Sequence, residues 1–226
     1  VAAIVAVARV AGITTRSFSA LTEASLRRGL RELALRDPDL ARVITSLGPP
    51  PLWAREPGFP TLIHIILEQQ VSLASARAAF DRLLAAAAPL TPQRFLAFDD
   101  ATLKTIGFSR QKMRYGRLLA EAVLQGQLDL DGLHHMPDAD VRSALVQLKG
   151  IGPWSADIYL LMALRRRDVW PVGDLALITA LQRVKRLPER PTQILFDEYG
   201  EAWRPWRAVA ARVLWHYYLS GSPALA

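Results

Sequence analysis

The sequence predicts an all-α fold. Three observations carry that reading. Apolar residues recur at three- and four-residue spacing along most of the 226-residue chain, strict alternation is absent outside a short opening segment, and Gly- and Pro-rich breaks divide the rest into helix-length pieces. The chain is 51% hydrophobic, enough apolar material for a sizeable core in one or two domains. No run of 18 apolar residues lacks charge, so no membrane span is predicted. The opening residues 1–12 are apolar but interrupted by Arg9, with no basic region ahead and no polar cleavage segment behind. They read as a packed strand or helix rather than a signal peptide.

The elements follow in order. Residues 17–46 alternate charged and apolar positions at helical spacing, and Leu26, Leu30, Leu33 and Leu40 supply a buried stripe. Asp37-Pro38 starts a new helix inside that region, since Pro is tolerated in a first turn. Residues 48–60 hold five prolines and two glycines and form a loop. One strong helix is predicted over 61–86, buried through Ile65, Ile66, Val71, Leu73, Ala76, Phe80 and Leu83, with Gln69, Gln70 and Ser72 as polar interruptions. Short helices follow at 92–97 and 99–105, then Gly107-Phe108-Ser109 breaks the chain before a helix at 110–125. After a connection at 126–136, Asp138 is placed to cap a helix over 138–147. A tight turn, Lys149-Gly150-Ile151-Gly152-Pro153-Trp154, enters a helix running to about 165. Asp174 precedes a helix at 175–183, residues 188–192 form a Pro-rich loop, and an aromatic-rich helix spans 205–219. The first and last portions can complete one helical lobe.

Composition narrows the chemistry. Without cysteine the chain forms no disulfide, thiolate zinc site or cysteine-ligated iron–sulfur cluster, which suits a reducing compartment. No compact His/Asp/Glu cluster points to a divalent catalytic metal. His134-His135 lies in a connection, and His64 and His216 read as packing or surface residues. A formal charge of +7, with arginine supplying 24 of 28 basic residues, favours a polyanionic partner such as nucleic acid.

The most specific local signal is LKGIGPWSAD, 148–157. Gly150 and Gly152 permit backbone geometries costly for other residues and close approach of a phosphate, and the first amides of the following helix point outward at an anion. Ile151 plugs the turn. The pattern equally fits an ordinary helix–turn–helix connection, but not a nucleotide P-loop, because the G-K-[ST] ending is missing. Asp174 follows at Trp170-Pro171-Val172-Gly173-Asp174. It reads as a helix cap, and a carboxylate there can also stabilise a developing positive charge or orient water. Trp170, Val172 and Leu175 are placed to restrict water around it.

Five segments together resemble the helix-hairpin-helix DNA glycosylase superfamily, in its 3-methyladenine DNA glycosylase II (AlkA-like) branch. They are FPTLIHIILEQQVSLASA (59–76), LKTIGFSRQKMRYGRLLAEAV (103–123), LVQLKGIGPWSADIYLLMAL (145–164), DVWPVGDLAL (168–177) and WRPWRAVAARVLWHYY (203–218). The resemblance covers about residues 55–219. It implies a two-lobed helical fold, here without a complete N-terminal β-rich domain. Its parts would be an N-terminal extension (1–50) joining a helical lobe, a helical lobe with a DNA-wedge loop (51–135), the hairpin and catalytic Asp region (136–186), and C-terminal helices completing the cleft (187–226).

The function implied is a monofunctional enzyme that flips alkylated bases out of duplex DNA and hydrolyses the N-glycosidic bond. A noncatalytic damaged-DNA binding module on the same scaffold is the alternative, and a strand-cleaving lyase a third reading. Asp174 is the implied catalytic carboxylate, with Gly173 where close relatives often carry a second Asp, a change that would widen the pocket locally. Lyase-active relatives place a nucleophilic lysine where this chain has Trp154, which argues for water as nucleophile. The implied base pocket comprises Trp154, Phe59, Trp53, Tyr159 and Trp206, with Trp206 approaching Asp174. Gln70 corresponds to the DNA wedge, and Gln69 either joins it or braces the loop. Lys149, Gly150, Gly152, Trp154 and Ser155 form the implied phosphate-binding hairpin. A structural Na+ or K+ is implied at the carbonyls of Val146, Leu148 and Ile151, with no other cofactor required. The implied partner is damaged double-stranded DNA, bound by a monomer with no membrane association. The implied location is cytoplasmic and, in a bacterium, nucleoid-associated.

Overall fold

The computed structural model describes residues 20–221, all helix and connection with no strand among them. The opening segment 1–12 lies outside the described residues. Helix α1 (Glu23–Arg36) is capped by Thr22, whose hydroxyl accepts the Ser25 amide at 3.2 Å. Leu26, Leu30 and Leu33 form its buried stripe. Asp37 ends α1 and caps α2 (Pro38–Leu47), taking the amides of Asp39 and Leu40 at 3.1 and 3.2 Å. The same carboxylate also accepts Lys185 Nζ at 2.7 Å and Trp203 Nε1 at 2.8 Å, so one cap ties the start of the chain to its last third.

The helix expected over 61–86 is two helices, α3 (Phe59–Glu68) and α4 (Leu73–Ala86). Gln69 leaves helical geometry, Gln70 sits at φ 57°, and Ser72 caps α4 by accepting the Ser75 amide at 3.2 Å. Ser72 bonds the backbone three residues on, and that local cap competes with continuing the first helix. Val71 and Leu73, expected inside, are 46% and 57% exposed, while Ile65, Ile66, Ala76 and Leu83 are buried.

Helices α5 (Pro92–Leu96), α6 (Asp100–Ile106) and α7 (Arg110–Leu124) match the expected pieces closely. A 3-10 turn, Gly132–His135, leads to α8 (Asp138–Val146). Asp138 does not cap α8. Pro137 holds the cap position, and the Asp138 carboxylate faces Arg166 at 3.2 Å instead. Helix α9 (Pro153–Ile158) continues as a π-helical segment (Tyr159–Ala163), in which the Leu164 amide reaches the Tyr159 carbonyl at 3.1 Å. Helix α10 (Leu175–Val184) follows. Helix α11 (Gln193–Ala202) was not anticipated, because only Phe196 and Gly200 of it are buried and Ile194 is 74% exposed. Helix α12 (Arg207–Ser220) is buried around most of its circumference from Ala208 to Trp215, as a central helix must be.

Packing sorts these helices by contact rather than by order. α12 lies against α1, α2 and α10, whereas α3 lies against α4, α7, α9 and the π-helical segment. A groove of about 2040 Å³ opens between the two sets, bordered by Glu68 of α3, Trp154 of α9, Asp174 ahead of α10 and Trp215 of α12. No helix among the described residues is long and apolar enough to cross a membrane.

Candidate active site

Asp174 stands at the junction of α9, α10 and α12. It caps α10, its Oδ1 accepting the Leu177 amide at 2.8 Å. Two indoles complete its shell: Trp215 Nε1 donates to Oδ1 at 3.2 Å and Trp154 Nε1 to Oδ2 at 2.9 Å. The residue is only 7% exposed and borders the groove. Three N–H donors at a helix N-terminus form a preorganised setting for a carboxylate anion. Oδ2 accepts one of these bonds and retains a lone pair for a further partner.

The backbone delivers Asp174 through Gly173, whose φ of 75° is the left-handed region that favours glycine. A Cβ there would meet nothing within 4 Å, so the backbone conformation favours glycine while the space beside it stays open. The loop before it is anchored by Asp157. This α9 side chain is fully buried, pairs with Arg142 of α8 through Nε at 2.8 Å and a close Nη2 contact, and accepts the Val172 amide at 3.4 Å. Burial pushes the Asp157 carboxyl up, and the Arg142 charge opposes that shift. Fixing the loop to α9 fixes Asp174 relative to Trp154, which α9 also carries.

The glycine turn connects α8 to α9. Gly150 has φ 102°, and a Cβ built on it would lie 2.2 Å from Tyr115 Cγ of α7. Both backbone conformation and space therefore demand glycine. Gly152 differs from expectation: its φ of −88° is open to any residue, and a Cβ would meet nothing within 4 Å. What its missing side chain leaves is an uncovered approach to the turn. Ile151 is buried at 3% and Lys149 is exposed. Gln69 reaches across from α3, its Nε2 donating to the Gly150 carbonyl at 2.8 Å and to the buried Ser155 Oγ at 3.0 Å. Gln69 thus braces the turn from α3 while still bordering the groove. Exposed Gln70, on the left-handed turn beside it, remains at the groove.

The structure brings together Asp174, Trp154, Trp53, Gln70 and the glycine turn on one groove. Three aromatic residues expected there lie elsewhere. Phe59 is buried against Phe95, with ring centroids 5.9 Å apart. Tyr159 is fully buried, its hydroxyl accepting the Gly58 amide at 3.0 Å. Trp206 bonds Glu32 at 2.5 Å under Arg167, on α1's side of the molecule. Trp170 packs on Phe196 and Trp203 instead of screening Asp174, and Val172 and Leu175 are 45% and 66% exposed. The residue sequence reasoning missed is Trp215. Its only signal was membership of the aromatic-rich final helix, where several aromatics competed. Arg212, one turn earlier on α12, is fully buried and donates to the carbonyls of Leu52 and Leu161 at 2.9 and 2.8 Å. It ties the loop carrying Trp53 and the π-helical segment to the Trp215 helix. Burial without a carboxylate partner pushes its guanidinium down to about 9.

A helix–glycine turn–helix followed by a buried, indole-clamped aspartate beside an open groove defines a helix-hairpin-helix protein with a candidate catalytic carboxylate. The family model for the HhH-GPD superfamily base excision DNA repair proteins matches residues 63–205, and the chain belongs to that superfamily. Among curated relatives it is 27% identical to DNA-3-methyladenine glycosylase 1 of Schizosaccharomyces pombe, covering 78% of this chain and 79% of that one. It is 29% identical to a putative DNA-3-methyladenine glycosylase of Bacillus subtilis, YfjP, over 55% of this chain and 43% of the relative. It is 32% identical to DNA-3-methyladenine glycosylase 2 of Escherichia coli over 56% and 42%. The chain therefore spans less than half of the last two relatives. Among solved structures, the S. pombe 3-methyladenine DNA glycosylase Mag1 in complex with abasic DNA superposes with a TM-score of 0.79 at 27% identity, covering 83% of this chain and 95% of that one. A Bacillus halodurans DNA-3-methyladenine glycosidase gives a TM-score of 0.70 at 29% identity over 84% and 88%.

Proposed function

We propose that the chain is a monofunctional DNA glycosylase that everts an alkylated base from duplex DNA and hydrolyses its N-glycosidic bond. The observation that carries this reading is the Asp174 carboxylate, held by Trp154 and Trp215 in a groove bordered by the glycine turn. The relatives' names and the DNA-bound neighbour support it. A purine alkylated at N3 or N7 already carries positive charge. As its bond to C1′ breaks, the electron pair leaves with the base, which departs neutral, and positive charge appears on the sugar. Asp174 stabilises that charge and takes a proton from the water that adds to C1′, leaving an abasic site. An electron-poor base is complementary to indole faces, and Trp154 and Trp215 have theirs oriented by N–H bonds to the same carboxylate.

Water is the nucleophile in this scheme because the chain has Trp154 where a lyase needs lysine, and Lys149 is exposed on the other side of the turn. Gln70 fills the space vacated by the everted nucleotide. The amides of Gly150, Gly152 and Ser155, with Lys149, hold the DNA backbone without reading its sequence. A structural Na+ or K+ would be held by the carbonyls of Val146, Leu148 and Ile151. Leu148 oxygen accepts the Ile151 amide at 3.0 Å and keeps a lone pair free. The enzyme acts as a monomer on one bent duplex.

The test is base release from methylated duplex DNA, read by mass spectrometry, together with alkaline cleavage of the abasic product. Asp174→Asn should lower turnover by about 10²-fold or more while leaving affinity for abasic-analogue duplex within about threefold. Near-normal turnover would exclude Asp174 as the catalytic carboxylate. Binding without base release by the unmodified chain would indicate a damage-binding module. Borohydride trapping of a covalent complex would indicate a lyase.

A further inference from the structure

Glu68 stands out in the groove wall. It ends α3, immediately before the Gln69–Gln70 turn, and its side chain is only 6% exposed. Arg55, from the loop ahead of α3, meets it with two bonds, Nη1 to Oε2 at 2.9 Å and Nη2 to Oε1 at 2.6 Å. The Arg55 side chain is 21% exposed, and both residues border the groove that holds Asp174. Desolvation largely offsets the attraction in such a pair, so stability alone is a poor reason for its presence.

Its position gives a better one. The Arg55 amide donates to the Met162 carbonyl at 3.0 Å. Trp154, Ile158 and Met162 follow one another along the groove face of α9 and the π-helical segment. Eight residues of helix separate Trp154 from Met162, about 12 Å along the axis. That is the scale of a nucleoside. If the sugar sits at Asp174 and the base lies along Trp154 and Ile158, the far edge of the base is directed toward the groove wall that Arg55 and Glu68 form.

We propose that the Arg55–Glu68 pair is a base-edge subsite, in which Glu68 accepts a hydrogen bond from an N–H on the Watson–Crick edge of the everted purine and Arg55 positions the carboxylate. This rests on the base-excision reading above. The chemistry is available on both sides. A carboxylate has about four lone-pair sites and Arg55 fills two of them, while the guanidinium keeps N–H groups beyond the two it uses. His64 Nε2 lies 3.7 Å from Glu68 Oε1, with its ring stacked on Phe80 at 4.2 Å. Burial lowers its pKa, so at neutral pH Arg55 remains the main counter-charge. A cationic base carrying N–H groups is complementary to this acceptor. A base whose edge nitrogens are tied into a ring has no proton to give.

Glu68→Gln distinguishes the subsite from a structural brace. Release of 3-methyladenine and 7-methylguanine from methylated duplex should fall about tenfold, as for replacing a charged acceptor by a neutral one. Release of 1,N6-ethenoadenine, which lacks an N–H on that edge, should change no more than about twofold. Affinity for a duplex carrying tetrahydrofuran, which has no base at all, should likewise stay within about twofold. Arg55→Lys, which keeps the charge but loses the two-pronged geometry, should show the same pattern at smaller size, and serves if Glu68→Gln does not fold. Unchanged methylpurine release overturns the proposal. So does a loss shared equally by ethenoadenine release or tetrahydrofuran-duplex affinity. If the unmodified chain releases no base from any of these duplexes, the failure lies with the base-excision reading instead.

Discussion

Replacing Gly150 by alanine tests the glycine turn most directly, because two independent effects coincide there. At φ 102° an alanine adopts a backbone region that L-residues avoid, at a cost of about 1–2 kcal/mol. Its Cβ would also lie 2.2 Å from Tyr115 Cγ and 2.6 Å from Tyr115 Cβ, so the base of a ring, not a flexible tip, must move. Overpacking of that kind adds about 1–3 kcal/mol. The sum, roughly 2–5 kcal/mol, lowers the melting temperature by about 5–15 °C for a chain of this size. Gly152→Ala is the internal control. With φ −88° and nothing within 4 Å of the added carbon, it should melt within about 2 °C of the parent, yet bind tetrahydrofuran duplex more weakly because the methyl covers the uncovered approach. Calorimetry and fluorescence anisotropy on the two variants read both quantities. Adding Tyr115→Ala to Gly150→Ala should recover only the ring's part of the steric share, since the Tyr115 Cβ at 2.6 Å remains, and leave the backbone share. A Gly150→Ala protein that melts with the parent, or a Gly152→Ala protein that loses stability but not affinity, would refute the assignment of rigid turn and open face.

Other residues give further expectations. Trp215→Phe keeps a ring in the groove but removes one of the three donors to Asp174, so turnover should fall about 3- to 30-fold with little change in tetrahydrofuran-duplex affinity, measured by single-turnover kinetics. Arg142→Ala leaves the fully buried Asp157 without its partner. Because Arg142 is 38% exposed, the loss should sit at about 2–3 kcal/mol, below the range for fully buried pairs, by urea denaturation at pH 7. Burial raises the Asp157 pKa, so its folded form prefers the proton. The variant's deficit should therefore shrink as pH falls toward 4 and grow as pH rises through the raised value. His64 has the opposite linkage. Its folded pKa is lowered by burial, so below about pH 6.5 the unfolded chain binds more protons and stability drops. In melting curves between pH 5 and 8 that drop should be smaller in His64→Gln. Replacing Na+ and K+ by tetramethylammonium at constant ionic strength should weaken duplex binding if a monovalent ion sits at the Val146, Leu148 and Ile151 carbonyls, and an unchanged affinity would remove that ion from the scheme.

Helical class was legible because the apolar spacing is repeated and the caps are chemically explicit. Asp37-Pro38 and Asp174 each cap a helix as their neighbours imply. The failures are equally physical. The break between α3 and α4 depends on whether Gln69 finds acceptors other than its own helix, and those acceptors, Gly150 and Ser155, are more than 80 residues away. α11 escaped notice because only one side of it touches the core. Asp138 carries a sound capping signal, but Arg166 takes its carboxylate.

Local chemistry alone marked Asp174 as a carboxylate at a helix start and the Gly150 turn as a place where a side chain is unwelcome, because caps and turns are decided within a few residues. Which aromatics surround that carboxylate could only be settled in three dimensions. Phe59, Tyr159 and Trp206 were credible from composition, yet packing sends them into the core and selects Trp215, 41 residues beyond Asp174. The same holds for the pairing of Arg55 with Glu68. Apolar periodicity specifies that a face is buried, whereas the partner across the groove follows from how whole helices cross, and no short stretch of chain contains that information.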